Sequence, residues 1–167
     1  MKIEDNFLDQ KIFDGLQTLM KGGNFVWNYN DRIDYKGQKD RFQFFHLFYA
    51  AGGHSEYLDI LKPILEKKTI ISFWRIKANL LTRTPNIIEN EFHTDILGMS
   101  EKKLKQWTTS IFYVNTNNGY TKFEDGTKVE SVANRLVTFP ANMKHTGTSC
   151  TDEKRRIVIN FNYFENT

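Results

Sequence analysis

The amino-acid sequence predicts a mainly β protein, a jelly roll or β-sandwich with supporting N-terminal helices. Three observations lead to this prediction. Aromatic residues, which favour strands, make up 14% of the 167 residues. From residue 69 onward, apolar and polar residues alternate in short runs that are separated by turn residues. Only two segments, both before residue 70, have the apolar spacing of an amphipathic helix.

The first predicted helix covers residues 7–21 and ends at Gly22-Gly23. Its apolar residues recur every three or four positions: Leu8, Ile12, Phe13, Leu16, Leu19 and Met20. The second predicted helix covers residues 56–67, where Pro63 would occupy the first turn or cause a kink. Two strands are also predicted in this part of the chain, at 24–29 and 41–49, with a polar loop at 30–41.

The second half of the chain is predicted to consist of strands. In residues 70–83, Trp74, Ile76, Ala78 and Leu80 alternate with Arg75, Lys77, Asn79 and Leu81. This alternation predicts one buried face and one polar face. Further strands are predicted at 108–115, 121–124, 128–132, 135–140 and 156–164. We therefore expect one domain, 1–167, with N-terminal helices and flanking strands in 1–70 and a jelly-roll core in 70–164.

Composition and charge argue against several classes of protein. Cys150 is the single cysteine, so an intrachain disulfide is impossible and a cysteine-based zinc or iron–sulfur site is disfavoured. The sequence has no run of 18 apolar residues and no charged-then-apolar leader, so we expect a cytoplasmic protein without a membrane partner. A net charge of +3 does not by itself indicate a nucleic-acid partner. The basic cluster Lys102, Lys103 and Lys105 is interpreted as a solvated face.

Three residues form a candidate metal site. His93 and Asp95 are two positions apart, so in an extended chain their side chains point to the same face. His145 follows about 50 residues later, a gap long enough for the chain to fold back beside them. Two His and one carboxylate form the facial triad of non-haem Fe(II) oxygenases, and zinc is the main competing metal.

The His-x-Asp pattern alone is not specific, because the chain has four His and 20 acidic residues. A surface histidine beside a solvated acid would give the same pattern. The other two histidines, His46 and His54, are interpreted as packing or surface residues.

A series of five motifs carries a resemblance to a known family. In chain order the motifs are H-T-D (93–95), T-S-I-F-Y-V-N (109–115), N-G-Y-T-K-F-E-D-G (118–126), R-L-V-T-F-P-A-N-M-K-H-T-G (135–147) and R-R-I-V-I-N-F-N-Y-F (155–164). This series resembles the 2-oxoglutarate/Fe(II)-dependent dioxygenase superfamily. The prolyl-4-hydroxylase-like branch, which includes small bacterial and phage forms, fits best. The resemblance covers residues 74–164.

The resemblance implies a double-stranded β-helix in which His93, Asp95 and His145 bind Fe(II). It implies 2-oxoglutarate and O2 as cosubstrates and hydroxylation of an unactivated C–H bond, with release of succinate and CO2. A prolyl residue in a peptide or protein is the first candidate substrate. A different protein side chain or a small molecule is the alternative.

The resemblance also implies a basic residue, about ten positions after the second His, that binds the distal carboxylate of 2-oxoglutarate. Arg155 and Arg156 both have this spacing. If Arg156 points inward, so do Val158, Asn160 and Asn162; if Arg155 does, so do Ile157, Ile159 and Phe161. The polar set suits a wet pocket better, which favours Arg156 and places Asn160 in the cosubstrate pocket. Tyr113 matches the family tyrosine that hydrogen-bonds the same carboxylate.

One motif departs from the family. The family often has Gly-Gly-Glu-Thr where this chain has Asn-Gly-Tyr-Thr at 118–121, which leaves loop detail and substrate preference open. Gly119 and Phe123 match structural positions of the family. Two segments could line a substrate groove: the aromatic stretch 41–49 and the polar face Arg75, Lys77, Asn79 and Arg83. Ordinary core packing and a solvated strand face are the alternatives for them.

Two other functions remain open at this point. A non-catalytic jelly-roll module could retain the metal ligands by descent, and a cupin-type zinc hydrolase could use them for a different reaction. Metal identity and dependence on 2-oxoglutarate distinguish all three hypotheses.

Overall fold

The computed structural model describes residues 1–33 and 41–165. Most of the loop predicted at 30–41 therefore lies outside the described residues. The strands are β1 (Lys2–Glu4), β2 (Asn28–Asn30), β3 (Gln43–Ala50), β4 (Gly53–His54), β5 (Ile70–Thr82), β6 (Thr108–Tyr113), β7 (Tyr120–Phe123), β8 (Lys128–Glu130), β9 (Arg135–Pro140), β10 (His145–Gly147) and β11 (Arg155–Glu165). The helices are α1 (Gln10–Lys21), α2 (Lys62–Leu65), which a 3₁₀ turn at Leu58–Leu61 precedes, and α3 (Glu101–Leu104).

Two antiparallel sheets face each other. The large sheet has the strand order β1-β9-β6-β11-β5-β3-β2, with β4 paired to β3. The small sheet has the order β10-β7-β8, and two isolated bridges, Glu89–Thr148 and His93–His145, attach the 89–93 segment to its β10 side. This arrangement confirms the predicted mainly β jelly roll.

Helix α1 and the turns before β5 cover the outer face of the large sheet. Asp9 caps α1 by accepting a hydrogen bond from the Lys11 N–H, and the helix buries Phe13, Leu16 and Met20. These side chains belong to the main core, to which β11 contributes Ile157, Ile159, Phe161 and Tyr163. Alternation along β11 therefore turns the even-numbered residues toward the small sheet.

A second core lies between the two sheets. It contains Ile111, Tyr113, Phe123, Val129, Val137, Phe139 and Val158. Val158 is the β11 member of this cluster, and it shares its face with Arg156, Asn160 and Asn162. The interior between the sheets is thus apolar at one place and polar on either side of Val158.

Some elements differ from the sequence-based expectations. The predicted second helix is reduced to a 3₁₀ turn and α2. Pro63 lies in the first turn of α2, where a backbone N–H has no partner within the helix, so the N–H that proline lacks is not needed. The predicted strand at 24–29 shares only residues 28 and 29 with the observed strand β2. Trp74, expected on the buried face of β5, is 40% exposed. The pairing of β5 with β11 shifts between Arg75 and Phe73, and this bulge removes Trp74 from the regular alternation.

The predictions also lacked β1, β4, β10 and α3, because segments of two to four residues are too short to show a periodicity. Among the described residues, none of the helices has the length and apolar character needed to span a membrane.

Candidate metal and cosubstrate site

The three predicted metal ligands come together at one end of the small sheet. His93 and His145 form an antiparallel bridge in which each backbone N–H donates to the other carbonyl at 3.0 Å. Asp95 follows two residues after His93, and its Oδ1 lies 3.6 Å from His93 Nε2 and 3.8 Å from His145 Nε2. One candidate ligand atom from each residue lies within 4.8 Å of the others.

The second ring nitrogen of each histidine is held by a backbone carbonyl. His93 Nδ1 lies 3.1 Å from the Glu91 carbonyl, and His145 Nδ1 lies 3.2 Å from the Met143 carbonyl. A carbonyl can only accept, so each Nδ1 carries a proton and each Nε2 lone pair points into the cluster. The Nε2 of His145 is buried and has no hydrogen-bond partner. A metal ion would supply the partner that this lone pair lacks, so the residues fit a metal.

Asp95 is oriented by amide donors from β11. Asn160 Nδ2 and Asn162 Nδ2 donate to its Oδ2 at 3.2 and 3.0 Å, which leaves Oδ1 toward the histidines. Burial opposes ionisation of this carboxylate, but the neighbouring His93 and the positive charge of Arg75 hold its pKa below the ordinary value. Asp95 is therefore an ionised carboxylate with one oxygen available to a metal.

The pKa values of the two histidines are shifted in opposite directions. Burial favours the neutral form of His145 and lowers its pKa. The His93 side chain is 42% exposed, so its desolvation is only partial, and the Asp95 carboxylate outweighs it and raises the pKa of His93. A neutral imidazole is the form that binds a metal, so His145 is ready to coordinate, whereas His93 must compete with a proton.

Arg156 is a buried cation with no carboxylate partner among the described residues. It is 3% exposed, its Nε donates to Ser131 Oγ at 2.9 Å, and its Nη2 donates to Thr121 Oγ1 at 3.2 Å. Burial lowers the pKa of its guanidinium. A buried guanidinium bonded only to neutral hydroxyls can bind an anion strongly, because its charge is not compensated.

Two glycines make room for this guanidinium. A Cβ at Gly119 would lie 2.7 Å from Arg156 Cδ, and a Cβ at Gly147 would lie 3.3 Å from its Nη1. The space that the missing side chains leave is occupied by the arginine. Gly119 is thus needed for close packing, which agrees with the structural role expected for it.

Arg155 points away from this site. Its Nη2 donates to the Lys21 carbonyl at 2.8 Å, at the end of α1. Tyr113 is fully buried beside Arg156, and its hydroxyl donates to Thr121 Oγ1 at 2.8 Å. Asn160, expected in the cosubstrate pocket, lines the cavity, but its amide is hydrogen-bonded to Asp95.

One cavity of about 320 Å³ connects the metal ligands with Arg156. Of the polar face of β5, Arg75, Lys77 and Asn79 line it, whereas Arg83 is exposed and lies outside it. Within the 41–49 stretch, Gln43 is the residue that reaches the cavity. The ring of His46 is hydrogen-bonded through both nitrogens, to the Val26 carbonyl and Ser55 Oγ, which is a packing role.

Three contributions were missed by the sequence-based reasoning. Thr121 and Ser131 hold Arg156, and Asn162 orients Asp95. Alternation along β11 does turn Asn162 inward, but its contact with Asp95 depends on how a distant loop folds over the sheet. No sequence pattern indicated the hydroxyl residues.

The jelly roll, the His–Asp–His cluster and the buried arginine in one cavity agree with what the resemblance to the 2-oxoglutarate/Fe(II) oxygenases implied. The solved structures with similar folds include prolyl hydroxylases. The prolyl hydroxylase of Trichoplax adhaerens, solved with a peptide of hypoxia inducible factor, has a TM-score of 0.67 at 14% identity, over 98% of this chain and 83% of that one. The viral collagen prolyl hydroxylase of Paramecium Bursaria Chlorella virus-1, solved with 2OG, has a TM-score of 0.58 at 16% identity, over 99% and 96%.

A third similar structure, a prolyl-4-hydroxylase of Pseudomonas putida, has a TM-score of 0.63 at 14% identity, over 99% of this chain and 92% of that one. No protein-family model and no curated protein matches the sequence. At these identities the similarity establishes the fold. The fold that the sequence resemblance implied is therefore confirmed.

Proposed function

We propose that this protein is a cytoplasmic Fe(II)- and 2-oxoglutarate-dependent oxygenase that hydroxylates an unactivated C–H bond. The observation that carries the proposal is that one cavity joins the cluster of His93, Asp95 and His145 to the buried, uncompensated Arg156. A metal triad alone would fit several reactions. The arginine adds a place for the carboxylate of a second ligand, which distinguishes an oxygenase that uses a dicarboxylate from other metal sites.

His93, Asp95 and His145 would hold Fe(II) on one face and leave its remaining positions open. Bound Fe(II) and 2-oxoglutarate supply the activation of O2, with conversion of 2-oxoglutarate to succinate and CO2. The chain supports this chemistry by orientation. The bridge between the two histidines fixes their separation, and the amides of Asn160 and Asn162 keep one Asp95 oxygen directed at the metal position.

Arg156 would pair with the distal carboxylate of 2-oxoglutarate through its planar fork. Thr121 lies beside it in the cavity wall and accepts hydrogen bonds from both Arg156 and Tyr113. Because both neighbours donate to Thr121, its own hydroxyl proton is free to donate to the carboxylate. Tyr113 then acts by fixing the Thr121 hydroxyl, while Arg155 has no part in the cosubstrate site.

We propose a prolyl residue of a peptide or protein as the first candidate substrate. The support is the similarity of the fold to three prolyl hydroxylases. A free amino acid or another side chain would use the same metal centre.

A cupin-type zinc hydrolase fits the cavity less well. Such an enzyme needs a general base near the metal-bound water. Among the described residues that line the cavity, Asp95 is the only carboxylate, and it is itself a candidate ligand. The mechanism of a zinc hydrolase would also give no role to the buried charge of Arg156. A non-catalytic module would have no need to retain both features.

The test is an anaerobic titration of the Fe(II)-loaded protein with 2-oxoglutarate, observed through the visible metal-to-ligand charge-transfer band. We expect the band in the wild type and its absence in His93→Ala. Arg156→Ala should need about 10- to 100-fold more 2-oxoglutarate, because a charge-assisted bond is lost. Arg155→Ala is the matched control and should behave as the wild type. If the folded, Fe(II)-loaded wild type shows no band, the oxygenase proposal is wrong.

A further inference from the structure

A pair of cations lies beside the candidate metal ligands, on a different strand from Arg156. Arg75 and Lys77 occupy alternate positions of β5, so both side chains point to the cavity that they line. Their partners in the β11 register are Asn162 and Asn160, the two amides that hold Asp95. The two cations therefore border the metal position.

Neither cation is fully compensated. Arg75 donates to the backbone carbonyl of Asp95 at 3.1 Å, but its distance to Asp95 Oδ1 is 3.9 Å, and its buried Nε has no hydrogen-bond partner. Lys77 is half-buried, and its Nζ lies 5.1 Å from the centroid of the Phe45 ring. No described carboxylate forms an ion pair with Lys77. Burial and the charge of Arg75 both lower the pKa of Lys77, so a nearby anion would stabilise its charged form.

The whole cavity has more positive than negative charge. The described lining residues include four cationic side chains, Arg32, Arg75, Lys77 and Arg156, and one carboxylate, Asp95. A divalent metal and the dianion of 2-oxoglutarate would compensate each other, and Asp95 would offset one cation. Positive charge therefore remains in the cavity after the metal and the cosubstrate are accounted for.

Arg156 and this pair of cations occupy different positions along the strands. In the strand register Arg156 lies opposite Leu81, which is four residues along β5 from Lys77. Four residues of a strand span about 13 Å. Lys77 and Arg75 thus form a second position for binding an anion, at the metal end of the cavity.

We propose that Arg75 and Lys77 bind a carboxylate of the primary substrate, so that the substrate is an acid at the position next to the reacting group. This inference rests on the proposed oxygenase function and specifies its substrate. The cavity of about 320 Å³ is at the small end for a ligand site. It suits the cosubstrate together with one residue-sized acid. The carboxylate comes from a free amino acid, from the C-terminus of a peptide or from an acidic side chain that follows the reacting residue.

The test compares acids with their neutral amides. The anaerobic Fe(II)- and 2-oxoglutarate-loaded protein is titrated with three matched pairs, and the shift of the visible band reports binding near the metal. The pairs are L-proline and L-prolinamide, acetyl-Gly-Pro and its C-terminal amide, and capped Gly-Pro-Asp-Gly and Gly-Pro-Asn-Gly. We expect the acid of at least one pair to bind about tenfold or more tightly than its amide, the effect of one charge-assisted pairing. The pair that responds identifies the source of the carboxylate.

Variants then assign the effect to the cation. Lys77→Met keeps the apolar stem and removes the charge, so it should abolish the preference for the acid, and Lys77→Arg should retain it. Arg83→Met removes a charge from the exposed residue just beyond β5, outside the cavity, and should leave the preference unchanged. The affinity for 2-oxoglutarate should be the same in Lys77→Met and the wild type.

Two results would overturn the inference. One is equal binding of acid and amide in all three pairs, a comparison that needs only the wild type. The other is a Lys77→Met variant that loses affinity for 2-oxoglutarate alone, which would assign the cation to the cosubstrate. Failure of the oxygenase function itself is recognised separately, because the charge-transfer band would then never form.

Discussion

His93 and His145 lie opposite each other in one antiparallel bridge, with two backbone hydrogen bonds of 3.0 Å between them. Their ring centroids are 5.0 Å apart, and both Nε2 atoms face Asp95. The separation of the two imidazoles is therefore set by backbone pairing and does not depend on the flexibility of a loop. A site whose candidate ligands are held by backbone pairing loses little entropy when it binds a metal.

Metal binding should stabilise the folded protein, because the ligands are assembled only in that state. At Mn(II) concentrations about 100 times the Kd, the free energy of unfolding should rise by about 2.7 kcal/mol. Thermal unfolding with and without Mn(II) measures this gain, and His145→Ala should lose it. His54→Ala, which alters an exposed histidine outside the site, should keep the gain. Equal stabilisation of both variants would place the metal elsewhere.

Metal affinity should fall as the pH is lowered toward and below the raised pKa of His93. The Asp95 carboxylate raises that pKa above the ordinary value of 6.5, so a proton competes with the metal at higher pH than at a free imidazole. Asp95 stays ionised in this range because its own pKa is lowered. Mn(II) titrations between pH 6 and 8 should therefore show affinity rising with pH. A flat profile across this range would contradict the prediction.

Asn162→Leu should weaken metal binding by about 10- to 100-fold, the usual effect of losing a partner that orients a ligand. Asn162 Nδ2 donates to Asp95 Oδ2 at 3.0 Å and to Thr109 Oγ1 at 3.1 Å, and leucine has a similar volume without either bond. Thr109→Val removes only the second bond and is the matched control. If both variants bind Mn(II) as the wild type does, Asn160 alone is sufficient to orient Asp95.

Some of this site could be predicted from the sequence and some could not. Strict alternation in β11 indicated that Arg156, Asn160 and Asn162 share the inward face, and the structure agrees, because a strand pattern needs only local information. The hydroxyl partners of Arg156 come from β7 and from Ser131, just after β8, in the opposite sheet. Such contacts depend on how two sheets pack, which no local pattern records. The exposure of Trp74 depends on a bulge in strand pairing and was unpredictable for the same reason.

Gly119→Ala should weaken 2-oxoglutarate binding without affecting the metal. The new methyl group would lie 2.7 Å from Arg156 Cδ and also 2.7 Å from the Ser149 carbonyl oxygen, so Arg156 must move. A titration of the charge-transfer band should show a loss of about tenfold or more in affinity for 2-oxoglutarate, and Mn(II) affinity should be unchanged. Gly23→Ala is the control, because no atom lies within 4 Å of its added methyl group. Equal loss of Mn(II) affinity in Gly119→Ala would indicate general damage to the fold.

Arg156→Met should separate stability from cosubstrate binding. In the ligand-free protein the guanidinium is buried without a described carboxylate partner, so its desolvation is not repaid. Replacing it with a residue of similar length and no charge should leave the free energy of unfolding unchanged or raise it by about 1–2 kcal/mol. The same variant should lose the extra stabilisation that 2-oxoglutarate gives to the metal-loaded wild type.

Urea unfolding of the wild type and Arg156→Met, each with and without 2-oxoglutarate, measures both effects. Arg155→Met is the control for loss of a positive charge on the same strand, since Arg155 donates to the Lys21 carbonyl away from the cavity. It should keep the response to 2-oxoglutarate. A loss of several kcal/mol in ligand-free Arg156→Met would mean that Ser131 and Thr121 compensate the guanidinium fully. The buried charge would then be a structural feature, and the argument that it is held ready for an anion would fail.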